Sequence, residues 1–438
     1  MNMEYWSLFT IVFSLLLLIF LALRGFSIII IAPIASLVVI VLNQMPILET
    51  LQEDYMSGFI NFAKNYYLIF LFAAIFGKFM EDSGAARSIS EKLLKVIGKN
   101  SKFKVLMAVV IICAFLTVGG INTYVVIFAI LPIARPLFKQ MEIPWHLFAG
   151  AFFFGMATFT MTMLPGSPSI QNIIPTKYLG TTVTAAPLLG IIATVIVIIF
   201  NTMYLKYSIK KSETNGETYS NTKNGERKQN EMKGQDRKEI PPFILSVLPP
   251  IFLLVALNGF KVDILYTLMA SVLLCIILFW RYLDKKLQTI NVGATNTVLP
   301  IVNTSADVGY GTVIAATAGF GVITELISSM PGSPLLSLYF SVAALAGITG
   351  AASGGLAIAM ETLADTYLQL NVDPEILHRI ATIASGGLDS LPHNGAVITV
   401  LAVIGLTHRD AYKHIFVVSV IAPVIAAIPT LIFAILFY

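Results

Sequence analysis

Few side chains in this sequence can do chemistry within its apolar blocks, and most of them gather around one proline. Asp389, Ser390, His393 and Asn394 surround Pro392. An ionisable group inside a membrane span is costly and marks function by default. Asp389 and His393, four residues apart, are therefore candidates to carry a proton. Imidazole titrates near neutral pH, and Asp389 either fixes its tautomer or takes the proton itself. His393 has two other readings: pairing with a substrate carboxylate, or capping the carbonyls freed by Pro392. Glu361 is a third coupling candidate, and Asp307 lies inside a further apolar block.

Three more clusters combine small residues with hydrogen-bonding groups. They are Gly119-Gly120-Ile121-Asn122-Thr123, Leu164-Pro165-Gly166-Ser167 followed by Gln171 and Asn172, and Thr349-Gly350-Ala351-Ala352-Ser353-Gly354-Gly355. A carboxylate at membrane depth needs donors and a positive field, and helix N-termini supply both. Helices starting after Gly120 and Ala352, and resuming after Pro168 and Pro392, would aim four such ends at one spot. Asn122, Thr123, Ser167, Gln171, Asn172, Ser353, Ser390 and Asn394 would add side-chain groups there, and Gly120, Gly354 and Gly355 would let backbone approach a ligand. The alternative is that these residues cap helix ends and pack close crossings.

The elements that position them follow from composition. Of 438 residues 57% are hydrophobic and only 12% charged, half the charge of a soluble chain. Apolar blocks of membrane-spanning length make this an all-α polytopic membrane protein and exclude a soluble enzyme or a nucleic-acid binder. The block Tyr5 to Leu23 is too long for a signal-peptide core and is expected to remain a helix. Ten spans are expected, near 5–24, 26–43, 66–80, 146–164, 185–205, 243–258, 262–282, 297–325, 376–406 and 412–437. The stretches 102–138 and 333–370 are too long for one span; each is two crossings or a re-entrant hairpin, and the hairpin is the reading taken. With both termini external, nearly all basic residues fall on one side. Only Lys64, Lys177, Lys261 and Arg379 remain on the other, which satisfies the positive-inside rule. Arg135 and Arg379 read as structural or interfacial anchors. Glu81 and Asp82 read as caps for an interfacial helix. Cys113 and Cys275 lie inside apolar blocks and offer no disulfide framework.

The polar segment 208–240 reads as a solvated cytoplasmic linker between an N-terminal repeat, 1–207, and a C-terminal inverted repeat, 241–438. At an offset of 230, Gly120 matches Gly350, Ala134 matches Ala364 and Pro144 matches Pro374. Leu164-Pro165 then meets Leu391-Pro392, and Ala186-Pro187 meets Ala422-Pro423. Five spans per half place the repeats in opposite topology, as in secondary transporters, whose broken helices mark the binding site.

The run Gly77-Lys78-Phe79-Met80-Glu81-Asp82-Ser83-Gly84-Ala85-Ala86 resembles a signature of the gluconate:proton symporter (GntP) family. So does the segment from Ala384 to Val397, followed by Gly405-Leu406-Thr407-His408. Ile121-Asn122-Thr123 with Ile130-Leu131-Pro132-Ile133 is similar to the hairpin tip of the wider ion transporter superfamily. Where gluconate-type members carry Pro-Pro-His-Pro-Gly-Pro, this chain has Leu164-Pro165-Gly166-Ser167-Pro168-Ser169, which is similar to the hydroxybutyrate-permease-like branch. The resemblance implies an elevator-type homodimer whose hairpins and broken helices form a mobile transport domain. It also implies proton symport of a small organic carboxylate anion, gluconate-like or 3-hydroxybutyrate-like, across the cytoplasmic membrane.

Sodium coupling is the alternative, since unwound carbonyls can ligate an ion. An intramembrane enzyme would have to use His393, Asp389 and Ser390, but no nucleophile elbow, metal-spaced histidine pair or cofactor motif accompanies them. A channel fits two inverted halves poorly. No catalytic residue, metal, cofactor or nucleic-acid partner is expected.

Overall fold

In hydrocarbon each backbone N–H and C=O must find a partner within the protein, so apolar blocks punctuated by glycine and proline fold as helices. The computed structural model describes residues 3–85, 88–89, 92, 101–118, 123–167, 169–222, 239–256, 260, 262–322, 333–370 and 372–438. The first half runs α1 (Met3–Leu23), α2 (Ile28–Leu42), α3 (Ile47–Asp82), α4 (Lys102–Val118) and α5 (Thr123–Gln140). It continues with α6 (Leu147–Met156), a π-helical turn (Phe159–Met163), α7 (Ile170–Leu179) and α8 (Pro187–Thr214). The second half runs α9 (Phe243–Leu254), α10 (Ile264–Phe279), α11 (Lys286–Thr295), α12 (Val298–Ala315), α13 (Pro334–Thr349) and α14 (Ala352–Gln369). It ends with α15 (Pro374–Ser385), α16 (Gly395–Ile404) and α17 (His408–Phe437). Among the described residues, five helices are long and apolar enough to cross a membrane: Tyr5–Leu23, Ile47–Asp82, Pro187–Thr214, Leu265–Tyr282 and His408–Phe437. Their outer faces leave large apolar side chains exposed at helical spacing, such as Ile191, Val195 and Ile199 on α8 or Leu273 and Ile277 on α10. Such stripes suit contact with lipid.

The packing couples the halves. α4 lies on α5, and α13 on α14, closing two helical hairpins. The first arm of each hairpin packs on the helix before the break in its own half, α4 on α6 and α13 on α15. The second arm of each packs on the helix after the break in the other half, α5 on α16 and α14 on α7. Around these, α2 packs on α12, α10 on α3, α3 on α12 and α8 on α17. Both buried apolar clusters draw on both halves: Phe148 and Phe152 share one with Leu401 and Ile415, and Ile31 and Ala35 share the other with Leu338 and Ile380.

Several expected boundaries move. The span expected at 66–80 is the C-terminal part of α3, a single 36-residue helix. Its start carries Glu49, Glu53 and Asp54, which lower hydropathy without opposing helix formation, and a π-helical turn at Leu51–Tyr55. Gly58 seats this end on α12, where an added Cβ would meet the Val308 carbonyl at 2.9 Å. The block 297–325 is not one helix. α12 ends at Ala315, where the Thr317 hydroxyl donates to the Ile314 carbonyl (2.8 Å). The block 376–406 is broken at Pro392, as expected, into two helices, α15 and α16. α17 starts at His408, earlier than 412, because Thr407 and Asp410 form a capping box. The polar segment is ordered further than expected. α8 runs to Thr214, and Tyr219 is buried with its ring 6.0 Å from that of Trp145, edge to face. The Ser220 hydroxyl and backbone N–H then donate to Glu142 (2.7 and 3.1 Å).

Candidate functional site

The second break separates α15 from α16. α15 ends where Gly386 and Gly387 follow Ser385, and Pro392 removes a donor that a continuing helix would need. Asn394 then restarts the helix. Its side-chain oxygen accepts from Val397 N–H (2.9 Å), an N-cap that lowers the cost of beginning α16 in the interior. The other end of the same amide donates to the Gly350 carbonyl (2.8 Å), so the break is tied directly to the tip of the second hairpin.

Gly350 closes α13 in the left-handed region, φ +61°, where L-residues other than glycine are disfavoured. A Cβ there would lie 3.0 Å from His393 Cδ2, 3.3 Å from His393 Nε2 and 3.2 Å from Asp307 Oδ2. The hairpin tip, the break and α12 therefore converge on one buried point. Asp389, in the same break, is buried and accepts from the Ser390 hydroxyl (3.1 Å).

The carbonyls of the break are met by the first turn of α17. His408 Nε2 donates to the Pro392 carbonyl (2.6 Å), and the Tyr412 hydroxyl donates to the Ser390 carbonyl (3.1 Å). The capping role considered for His393 thus falls to His408. His393 itself is buried, and neither ring nitrogen reaches hydrogen-bond geometry.

The first break, Leu164 to Ser169, folds back on the π-helical turn before it. Ser167 donates to the Thr160 carbonyl (2.7 Å) and Ser169 to the Met161 carbonyl (2.6 Å). Asn172 organises the rest. Its amide nitrogen donates to the carbonyls of Ser167 (2.8 Å) and Val183 (2.7 Å). Its oxygen accepts from Arg379 Nη1 (3.0 Å) and His378 Nε2 (3.2 Å). With those positions filled, Asn172 holds the loop rather than offering its side chain to a ligand. Arg379 is wholly buried, so it is structural and not interfacial. It also donates to the carbonyls of Ala185 (2.9 Å) and Val183 (3.1 Å). The two breaks approach each other, since a Cβ on Gly386 would sit 2.7 Å from Thr162 Oγ1. The Gln171 carbonyl lies 3.5 Å from the Thr382 hydroxyl.

The remaining expected residues separate. Gly120 and Asn122 lie outside the described residues. Thr123 starts α5 and is half-buried, as are Ser353 and Gly354 at the start of α14. The bare face of Gly355 is filled by the backbone of Leu345 and Ala346, which makes it the contact that lets α14 lie against α13. Glu361 points to the exterior of α14. Sequence reasoning missed the scaffold made by Arg379 and His378, the carbonyl-holding role of His408, and the placement of Asp307 against the tip. An ionisable residue in an apolar block was the signal for Asp307; nothing local signalled the others. Among the described residues, no three His, Cys, Asp or Glu side chains gather as a metal site.

Residues 6–436 match the family described as GntP family permease. The chain is 36% identical over 459 residues to the Uncharacterized transporter YxjC of Bacillus subtilis (strain 168), an alignment covering 95% of this chain and 96% of that protein. A match that runs through both hairpins and both breaks, on a scaffold of long apolar helices, places this chain in the GntP permease family, as a multi-pass membrane transporter.

Proposed function

We propose that this protein is a proton-coupled symporter of small hydroxy-carboxylate or sugar-acid anions, gluconate-like or 3-hydroxybutyrate-like, in the cytoplasmic membrane. The observation that carries the reading is the meeting of a hairpin tip with a broken helix, through Asn394 and Gly350. Such a junction brings the N-termini of α14 and α16 to one place, and the positive end of a helix dipole favours an anion. Ser390, Asn394, Ser353 and Gly354 supply the second-half side of the site. Thr123, Ser167 and Gln171 supply the other, and the sequence adds Gly120 and Asn122 to them. The proton is carried at the second break, with His393 taking part.

Two inverted repeats form the framework of this proposal. It is supported by the exchange of partners between halves, with each second arm packing on the other half's post-break helix. The elevator movement of hairpins and breaks, the homodimer and the external termini belong to the same proposal.

The test uses purified protein in liposomes with an inwardly directed proton gradient, inside alkaline, and labelled 3-hydroxybutyrate, gluconate, glycerate or lactate. Accumulation of one of these that collapses with a protonophore is the expected result. A requirement for a sodium gradient instead would replace the coupling ion, and a change in substrate mass would reveal an enzyme. A thermal-shift screen narrows the substrate beforehand, because a ligand at 100 times its Kd stabilises by about 2.7 kcal/mol.

A further inference from the structure

α12 presents a buried acid to the second break. Asp307 is 3% exposed. One carboxylate oxygen accepts the Gly395 N–H in the first turn of α16, while Oδ1 has no hydrogen-bond partner. His393 is 1% exposed, with the Gly347 and Ile348 carbonyls beside it but both ring nitrogens unbonded. The two groups reach the same spot, the missing side chain of Gly350, at 3.2 Å from the carboxylate and 3.0 Å from the ring.

A buried polar atom left without a partner is costly, and an ionised carboxylate half-bare in the interior costs more. Here a carboxyl with one bare oxygen and an imidazole with two bare nitrogens stand on either side of a glycine, with Asp307 Oδ2 and His393 Nε2 within 3.3 Å of where its Cβ would be. A proton removes the penalty. On Asp307 it neutralises the carboxyl; moved to the imidazole, it leaves a carboxylate facing an imidazolium. The transfer breaks an O–H bond and forms an N–H bond, and needs no other reactant.

The other titratable groups facing the pair are few. Tyr55 comes from α3, and Tyr310, on α12 itself, is bonded through its hydroxyl to Ser14 of α1 (2.9 Å). His408 of α17 faces His393 but is held on the Pro392 carbonyl, and Asp389 lies one turn back, bonded by Ser390. Asp307 sits on α12, which packs on α2 and α3 on one side and on α16 and α13 on the other, whereas His393 and Gly350 sit on the break and the hairpin tip. The pair therefore lies at the contact of α12 with the break and the tip, where the symport reading requires movement.

We propose that Asp307 and His393 are the proton-carrying pair of this transporter, exchanging one proton across Gly350 as the hairpin tip shifts against α12. This rests on the symport reading. In liposomes, Asp307→Asn should retain exchange of labelled for unlabelled substrate while losing pH-driven accumulation altogether. Wild-type accumulation by that variant overturns the pair and leaves the symport reading intact. Dicyclohexylcarbodiimide, which attacks protonated carboxyls in apolar surroundings, gives a readout on the unmodified protein. Mass mapping should find the adduct on Asp307, decreasing as pH rises. An adduct on Asp389 with Asp307 clean overturns the proposal even if Asp307→Asn does not fold. Absence of any carboxylate transport by the wild type defeats the symport reading, and with it the coupling role; a sodium-driven wild type indifferent to pH does the same.

Discussion

Arg379 Nη1 donates to the Asn172 side-chain oxygen at 3.0 Å, joining the helix that leads into the second break to the helix that leaves the first. No carboxylate takes part in this bond. The guanidinium is instead held by main-chain oxygens from 183 and 185 and by an amide, a set that matches its planar fork of donors. Arg379→Leu should therefore destabilise the protein by about 3–5 kcal/mol, the scale for removing one side of a buried charged network. Arg379→Lys should recover little of it, since an ammonium cannot reach acceptors on three sides. Thermal unfolding in detergent measures both, and a lysine variant that melts with the wild type would contradict this role.

The Asn394 amide does two jobs that separate by substitution. Asn394→Asp keeps an acceptor for the α16 N-cap but loses the donor to the Gly350 carbonyl. Asn394→Ala loses both, about 1 kcal/mol for the cap and a further 1–3 kcal/mol for a bare buried carbonyl. The expected order of melting temperature is wild type, aspartate, alanine. Substrate affinity should already fall in the aspartate variant, because the tip is released. Equal affinity in wild type and Asn394→Asp would show that the tip bond does not shape the site.

Gly350→Ala should abolish transport, whereas Gly180→Ala should not. Both glycines have positive φ, +61° and +65°, so each alanine carries a similar strain of about 1–2 kcal/mol. They differ in surroundings: a Cβ at Gly180 meets nothing within 4 Å, while at Gly350 it meets His393 and Asp307. Transport assays normalised to folded protein isolate that contact. Comparable activity of the two variants would remove its significance.

Cysteines introduced at Ser220 and Gln369 should label from opposite sides of the membrane. Both positions are exposed, at the cytoplasmic end expected after α8 and at the end of α14. An impermeant maleimide applied outside intact cells should reach only Gln369→Cys. Labelling of both from one side would invert the second half.

What the sequence disclosed depended on whether the cause was local. Pro165 and Pro392 remove donors wherever they stand, and Gly350 permits a conformation that its neighbours do not, so the breaks and the second tip were legible. The scaffold around Arg379 was not, because main-chain oxygens from 183 and 185 become ligands only after α15 packs on α7. Gly355 illustrates the ambiguity of small residues: the same missing side chain serves ligand approach or helix contact, and only the position of Ala346 decides between them. The start of α3 was hidden for a different reason. Hydropathy reads Glu49, Glu53 and Asp54 as loop, yet nothing about these residues forbids a helix, and Gly58 gives it a surface on α12 to lie against.

The length of α3 has a consequence for the outline of the protein. Its 36 residues span about 54 Å at 1.5 Å per residue. Even tilted by about 40°, the upper end of what membrane helices show, crossing a ~30 Å hydrocarbon layer takes only about 26 residues. Roughly ten residues are left to stand beyond the lipid, close to three turns. The polar end is the one that emerges, with Glu49 and Glu53 exposed and the Asp54 carbonyl accepting from the Thr312 hydroxyl of α12 (2.9 Å). On that face the protein ends in a stiff acidic parapet above the bilayer.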